Sequence, residues 1–171
     1  MEIQEQTRIA LATLFPLATY TATPAGAEDS DQSEGAPRGA GVLATDFSGC
    51  GGHLDVLCLP DQVVDVARIM DDQGFFLEAV SGVDWIDQQQ LEIVYDYNRL
   101  DGQQCRVVVR TRVSRDVPVV PTITHVFSAA DWHERETFDF YGVQFQGHPN
   151  LIRILLPEDA DFYPLLKDFM P

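Results

Sequence analysis

Residues 91–115 read LEIVYDYNRLDGQQCRVVVRTRVSR, and this stretch decides the fold. Leu91, Ile93, Tyr95 and Tyr97 alternate with Glu92, Val94 and Asp96. Cys105, Val107, Val109, Thr111 and Val113 alternate with Arg106, Arg110 and Arg112. A period of two sends alternate side chains to opposite faces, so each run predicts a strand with one buried face. Between them, residues 98–104 carry Asp101-Gly102, a pair that favours tight turns.

Working outward, His53–Leu59 (HLDVLCL) is a short apolar run and predicts a buried strand. Pro60 and Asp61 then open a helix in which Val63, Val66, Ala67 and Met70 follow the i, i+3, i+4, i+7 rule, and Gly74 closes it. Residues 75–86 (FFLEAVSGVDWI) return as an extended stretch, with Ser81-Gly82 read as a bulge or bend. The order is β-α-β-β-β, broken by Pro118 and Pro121. Ser128-Ala-Ala-Asp131 has the form of a capping box for a further helix that runs to Tyr141 and stops at Gly142. The predicted fold class is α+β: an antiparallel sheet of about four strands with helices on one face, occupying residues 53–142.

The flanks read differently. Residues 1–20 hold an N-terminal helix with Ile3, Ala10, Leu11 and Leu14 near one face, stopped by Pro16. Residues 21–52 are rich in Gly, Ala, Ser, Pro and acids and bury too little apolar surface to offset ordering, so they predict a linker or long loop. Residues 143–171 hold five prolines or glycines among apolar clusters such as Leu151-Ile152 and Ile154-Leu155-Leu156, an extended C-terminal arm. So many large apolar side chains must be covered, either by a partner or by the chain's own sheet. The pattern leaves both open.

Twenty-seven acids against eleven bases give a net charge of −16. Nucleic-acid binding needs clustered Lys and Arg to neutralise phosphates, and the densest basic stretch, Arg106 to Arg115, is the polar side of a strand; no nucleic-acid partner is expected. The same charge disfavours direct docking on anionic lipid, and no apolar run reaches the ~20 residues of a membrane span. Two acids precede the first apolar stretch, unlike a signal peptide, so a cytoplasmic location is expected.

Chemistry-bearing residues are sparse. Cys50, Cys58 and Cys105 lack Cys-x-x-Cys spacing and read as reduced thiols, not metal ligands. His133, Glu136 and Asp139 stand at i, i+3 steps and are expected to share a helix face, but the second His of a zinc helix is missing. Asp84 and Asp87 could pair as acid and base. No self-contained catalytic, cofactor or metal site emerges from the residues.

The C-terminal third carries a specific pattern. Trp132-His133-Glu134-Arg135-Glu136, Phe138-Asp139-Phe140-Tyr141-Gly142, Gly147-His148-Pro149-Asn150-Leu151, Arg153-Ile154-Leu155 and Pro164-Leu165 with Lys167-Asp168 closely resemble the signature of the 30-kDa subunit of respiratory complex I. Upstream, Gly74-Phe75 and Ser81-Gly82-Val83-Asp84 resemble the same family, so the likeness spans roughly residues 53–170. Leu166 stands where that family usually has Arg. The resemblance implies an α+β domain on the cytoplasmic face of the membrane, without cofactor of its own. Its expected partners are the large quinone-site subunit and neighbouring iron–sulfur subunits of a proton-translocating NADH:quinone oxidoreductase. NADH or another donor, flavin, iron–sulfur clusters and quinone belong, on this resemblance, to those partners. An equivalent subunit of an energy-converting hydrogenase or formate hydrogenlyase, or a free-standing binding module, are the alternatives. Trp132, Glu134, Arg135, Glu136, Asp139 and Gly142 on the helix are the expected interface residues. Gly147, His148, Pro149, Arg153, Lys167 and Asp168 continue that set along the arm.

Overall fold

The computed structural model describes residues 2–15, 39–99 and 101–170. Helix α1 (Ile3–Ala12) precedes β1 (Gly41–Ala44), a single-turn helix α2 (Phe47–Cys50) and β2 (Leu54–Cys58). Helix α3 (Val63–Asp72) follows, then β3 (Phe76–Trp85), β4 (Gln90–Arg99) and β5 (Cys105–Ser114). The chain closes with β6 (Val119–Pro121), α4 (Ala130–Tyr141) and β7 (Gln144–Gln146).

The class is α+β, and the sheet has five strands in the order β1-β2-β5-β4-β3. The meander β3-β4-β5 is antiparallel, whereas β2 pairs with β5 in parallel. That parallel pair departs from an all-antiparallel sheet for a topological reason. The chain leaves β2, crosses over through α3 and enters the far edge as β3; two hairpin reversals then bring β5 back beside β2 pointing the same way.

The extra strand, β1, lies inside the segment expected to be a linker. Val42 and Leu43 are the apolar pair that lets four residues add antiparallel to β2, with Val42 opposite Val56. Residues 16–38, which include Pro16 and the first part of that segment, lie outside the described residues.

The two sheet faces differ as the alternation requires. Cys105, Val107, Val109, Thr111 and Val113 are buried, and Leu91, Ile93, Tyr95 and Tyr97 join them. Against this face α3 sets Val63, Val66, Ala67 and Met70, none more than 1% exposed. Burial of such Val and Met side chains contributes roughly 1.5–3 kcal/mol each. Helix α1 adds Ile3, Leu11 and the following Phe15. It is tied down by Gln4 Nε2 donating to the His53 carbonyl at 3.2 Å and by Gln62 Nε2 donating to the Leu14 carbonyl at 3.0 Å.

The opposite face carries a ladder of ion pairs between adjacent strands. Arg106 pairs with Asp96 at 3.0 Å, Arg110 with Asp55 at 3.0 Å, and Arg112 with Glu92 at 2.9 Å while stacking on Trp85. These three arginines are consumed within the sheet, which leaves no basic patch on that face. The irregularity in β3 falls between Leu77 and Ala79 and not at Ser81-Gly82, where pairing with Val94 and Ile93 is regular.

Candidate partner-facing site

Helix α4 starts without the expected capping box. Ala129 is its N-cap, and no side chain caps it; the helix grows from a turn in which the Ala130 amide donates to the Phe127 carbonyl at 3.0 Å. Ser128 contributes only its carbonyl, to the Asp131 amide. At the other end Gly142 adopts φ +79°. A Cβ at Gly142 would also sit 2.9 Å from the Tyr163 ring, so both backbone and packing require glycine.

The helix buries two faces, which explains why a charged sequence is mostly hidden. Ala130, Glu134, Thr137 and Tyr141 recur at i, i+4, i+7, i+11 and face the domain. The Tyr141 ring lies on Gly82 of β3, where a Cβ would come within 2.6 Å of it. This close approach is the role of the glycine read as a bulge. Arg135 and Asp139 form the second face, covered by the arm. His133, Glu136 and Asp139 therefore do not share one environment: Glu136 is exposed, His133 is half-buried and Asp139 is fully buried.

Asp139 is the centre of the arm's attachment. Its Oδ1 accepts from Arg153 Nη1 at 2.7 Å, and its Oδ2 accepts three consecutive amides, Ile154 at 3.0 Å, Leu155 at 2.7 Å and Leu156 at 3.0 Å. Burial alone would raise its pKa, but the Leu155 amide, the Arg153 guanidinium and the other two amides outweigh that and hold the carboxyl below its ordinary value. Arg153 also donates to the Asp139 and Phe162 carbonyls and lies over the Tyr163 ring at 5.1 Å.

Asp84, only 3% exposed, plays the same part at the far end. Arg115 grips it with two bonds, at 3.0 and 3.2 Å, and the Lys167 amide donates to its Oδ2 at 2.8 Å. Arg115 also pairs with Asp168 and holds that carboxyl below its usual range. Asp84 is thus fully engaged and Asp87 is exposed on a turn, so they are not an acid–base pair. Sequence reasoning missed this clasp. The only signal was a carboxylate at the end of β3 and an arginine just past β5, on strands two apart.

The remaining signature residues divide clearly. His148 has a buried ring: Nε2 lies 3.2 Å from the Asp131 carbonyl, and Nδ1 accepts the Asn150 amide at 3.0 Å, an arrangement that fits a proton on Nε2. Arg135 donates to the Ile152 carbonyl at 3.2 Å and stacks over Trp132 at 4.9 Å. Leu166 packs against the core cluster, which is why an apolar residue is accommodated there. Trp132, Glu136, Gly147, Pro149 and Lys167 are exposed. So are Ile152, Leu155, Phe162 and Leu165 along the arm.

The arm is covered in part by its own domain. It is strapped there through Asp139 and Asp84, and β7 pairs in parallel with β6. Among the described residues, no three His, Cys, Asp or Glu side chains gather at metal-binding distance. Burial pushes the Cys58 thiol up to about 12 and the Cys105 thiol up to about 11, which makes both poor nucleophiles. No described helix is long and apolar enough to cross a membrane.

Fold and site together define an α+β domain whose C-terminal arm is bound to a helix and to a sheet strand by the buried carboxylates Asp139 and Asp84. The chain belongs to the family described as respiratory-chain NADH dehydrogenase, 30-kDa subunit, which residues 56–171 match. A NADH-quinone oxidoreductase subunit of Roseiflexus castenholzii is 41% identical over 122 residues, covering 68% of this chain and 70% of that protein. The equivalent NADH-quinone oxidoreductase subunit of Moorella thermoacetica is 37% identical over 122 residues, covering 70% and 82%. Among solved structures, a chain of an archaeal membrane-bound sulfane sulfur reductase superposes with a TM-score of 0.62 at 29% identity, covering 68% of this chain and 71% of that one. A trypsin-resistant fragment of Nqo5 superposes with a TM-score of 0.57 at 28% identity, covering 66% and 89%.

Proposed function

We propose that this chain is a non-catalytic subunit of a membrane-associated NADH (or other donor):quinone oxidoreductase, seated on the cytoplasmic side. It packs there against the large quinone-site subunit and its iron–sulfur neighbours. One observation carries the reading. The arm is fixed to α4 through Asp139 and to β3 through Asp84, while Trp132 of α4 and Ile152, Leu155 and Leu165 of the arm are left in solvent. Apolar residues beside a fixed polar scaffold are what a protein–protein interface uses at its centre. The chain's own groups supply shape and hold the arm; redox chemistry falls to the partners' cofactors. The NADH-quinone oxidoreductase names of its relatives support the quinone branch.

The likeness to a sulfane sulfur reductase chain favours a second reading, in which the same scaffold serves a complex with another electron acceptor. Co-expression with the large subunit and the other subunits of the complex tests both. A stable complex with quinone reductase activity, and an isolated chain free of flavin and iron, is the expected result. Stoichiometric iron in the isolated chain overturns the proposal. Nickel-ligating Cys-x-x-Cys pairs in the large subunit would assign the complex to the hydrogenase branch.

A further inference from the structure

Four carboxylates are buried among the described residues, and three of them have an arginine. Asp139 faces Arg153, Asp84 faces Arg115 and Glu92 faces Arg112. Glu134 is 0% exposed, and among the described residues no Arg, Lys or His forms an ion pair with it. Its Oε1 accepts the Ile123 amide at 2.8 Å, and its Oε2 meets the Thr122 hydroxyl. Burial makes its ionisation harder and Asp131, one turn earlier on α4, adds to that, while the Thr122 hydroxyl and the Ile123 amide oppose them. Tyr95 and Tyr97 of β4 lie near it and feel its charge. From the arm, His148 engages the Asp131 carbonyl and not Glu134, and His125 is exposed on the turn that precedes α4. An isolated buried carboxylate is costly, and such a group takes a proton instead.

A path for that proton is present. The Thr122 hydroxyl lies 3.0 Å from the Thr124 hydroxyl, and half-buried Thr124 lines a cavity of about 340 Å³ with His125, Ser128 and Asp131. The chain of hydroxyls satisfies either protonation state. With Glu134 ionised, Thr122 donates to Oε2 and accepts from Thr124. With Glu134 protonated, Oε2–H donates to Thr122, and Thr122 donates to Thr124.

We propose that Glu134, Thr122 and Thr124 form a proton-binding site, in which the buried carboxyl exchanges its proton with solvent through the two threonine hydroxyls. Each hydroxyl receives one proton and passes one on, so only the carboxyl and a solvent water change their protonation. The site also sets how firmly α4 holds the turn that follows β6. The Thr122 amide donates to the Gln146 carbonyl, so that turn is continuous with the β6–β7 pair and the Gly147-His148-Pro149 segment. This inference goes beyond the assignment to a complex and does not depend on any partner.

Carbon-detected NMR of the full chain, with glutamate side chains labelled, tests it. The carboxyl resonance missing from Glu134→Gln should titrate near pH 7, where burial places it against the donors Thr122 and Ile123, well above the ordinary glutamate value of 4.5. Thr122→Val removes a donor to the charged form and should move that midpoint further up. Thr124→Val keeps the carboxyl's own bonds, so it should leave the midpoint in place but broaden the resonance through slower exchange. A Glu134 resonance titrating near the ordinary glutamate value of 4.5 overturns the site. A sharp titration in Thr124→Val overturns the relay. Should Glu134→Gln fail to fold, the resonance is identified as the one that Thr122→Val displaces, and a spectrum in which none moves counts against the proposal equally.

Discussion

Asp139 shows what a single buried residue does in this chain. Replacing it by Ala strands the Arg153 guanidinium and three amides of residues 154–156 in a dry site. Leaving a buried charge and its donors unpaired costs about 3–5 kcal/mol. Asp139→Ala should therefore lower the melting temperature and expose residues 150–170 to protease before the sheet unfolds. The acid sensitivity has a defined sign. The folded pKa of Asp139 lies below its unfolded value, so its contribution is present above that unfolded value, near pH 4, and fades as the pH falls through the folded one. Arm cleavage measured against pH should rise in that acidic window in the wild type and be already high in the variant. Little of this was legible beforehand. Asp139 sits between Phe138 and Phe140 on a helix rich in charge, where the simplest reading is a solvated or interface side chain. Its burial depends on residues 154–156 turning their amides toward it, and amide direction leaves no trace in side-chain pattern. Glu134 was equally opaque, whereas β5 was plain because a period of two states which face is wet.

Among the elements, the arm is where sequence pattern and structure part most. Its apolar clusters announced coverage of some kind, but which surface they cover depends on contacts more than eighty residues apart, such as the Lys167 amide on Asp84. The strand β1 was missed for the opposite reason: four residues with two apolar side chains carry too weak a signal against a Gly- and Ala-rich background. The parallel β2–β5 pair follows from connectivity and not from any residue in either strand. Truncation after Gly142 separates the arm's two roles. It removes Val143 and Phe145 from the core, each no more than 2% exposed, and also removes the partners of Asp84 and Asp139. Loss of two such apolar side chains alone costs about 3–6 kcal/mol. The truncated chain should bind a hydrophobic dye and melt over a broad range, where the full chain melts cooperatively. A truncated chain as stable as the full one would mean that the arm packs for a partner only.

For the whole molecule, charge and apolar exposure combine on one region. From residue 130 onward the exposed acids are Glu136, Glu158, Asp159, Asp161 and Asp168, whereas Arg135 and Arg153 are spent inside. Lys167 is the exposed base of that stretch. With a net charge of −16 overall, a partner that receives the arm must present cationic groups around an apolar centre. Two independent measurements follow from this division. Raising salt screens the acidic rim, so the affinity for the proposed large-subunit partner should fall about tenfold between roughly 0.05 and 0.5 M salt. The apolar centre answers to a different change. Ile152 and Leu155 are 51% and 59% exposed, so replacing both by Ser removes little from the folded chain itself. Their burial against a partner would contribute about 1–3 kcal/mol each, so the double variant should keep its melting temperature and bind the proposed large-subunit partner at least tenfold more weakly. Binding unchanged in that variant, with salt dependence intact, would move the interface away from the arm and onto the rim acids alone. Salt insensitivity with loss of binding in the variant would leave the apolar face as the interface and make the acidity of the arm a matter of solubility.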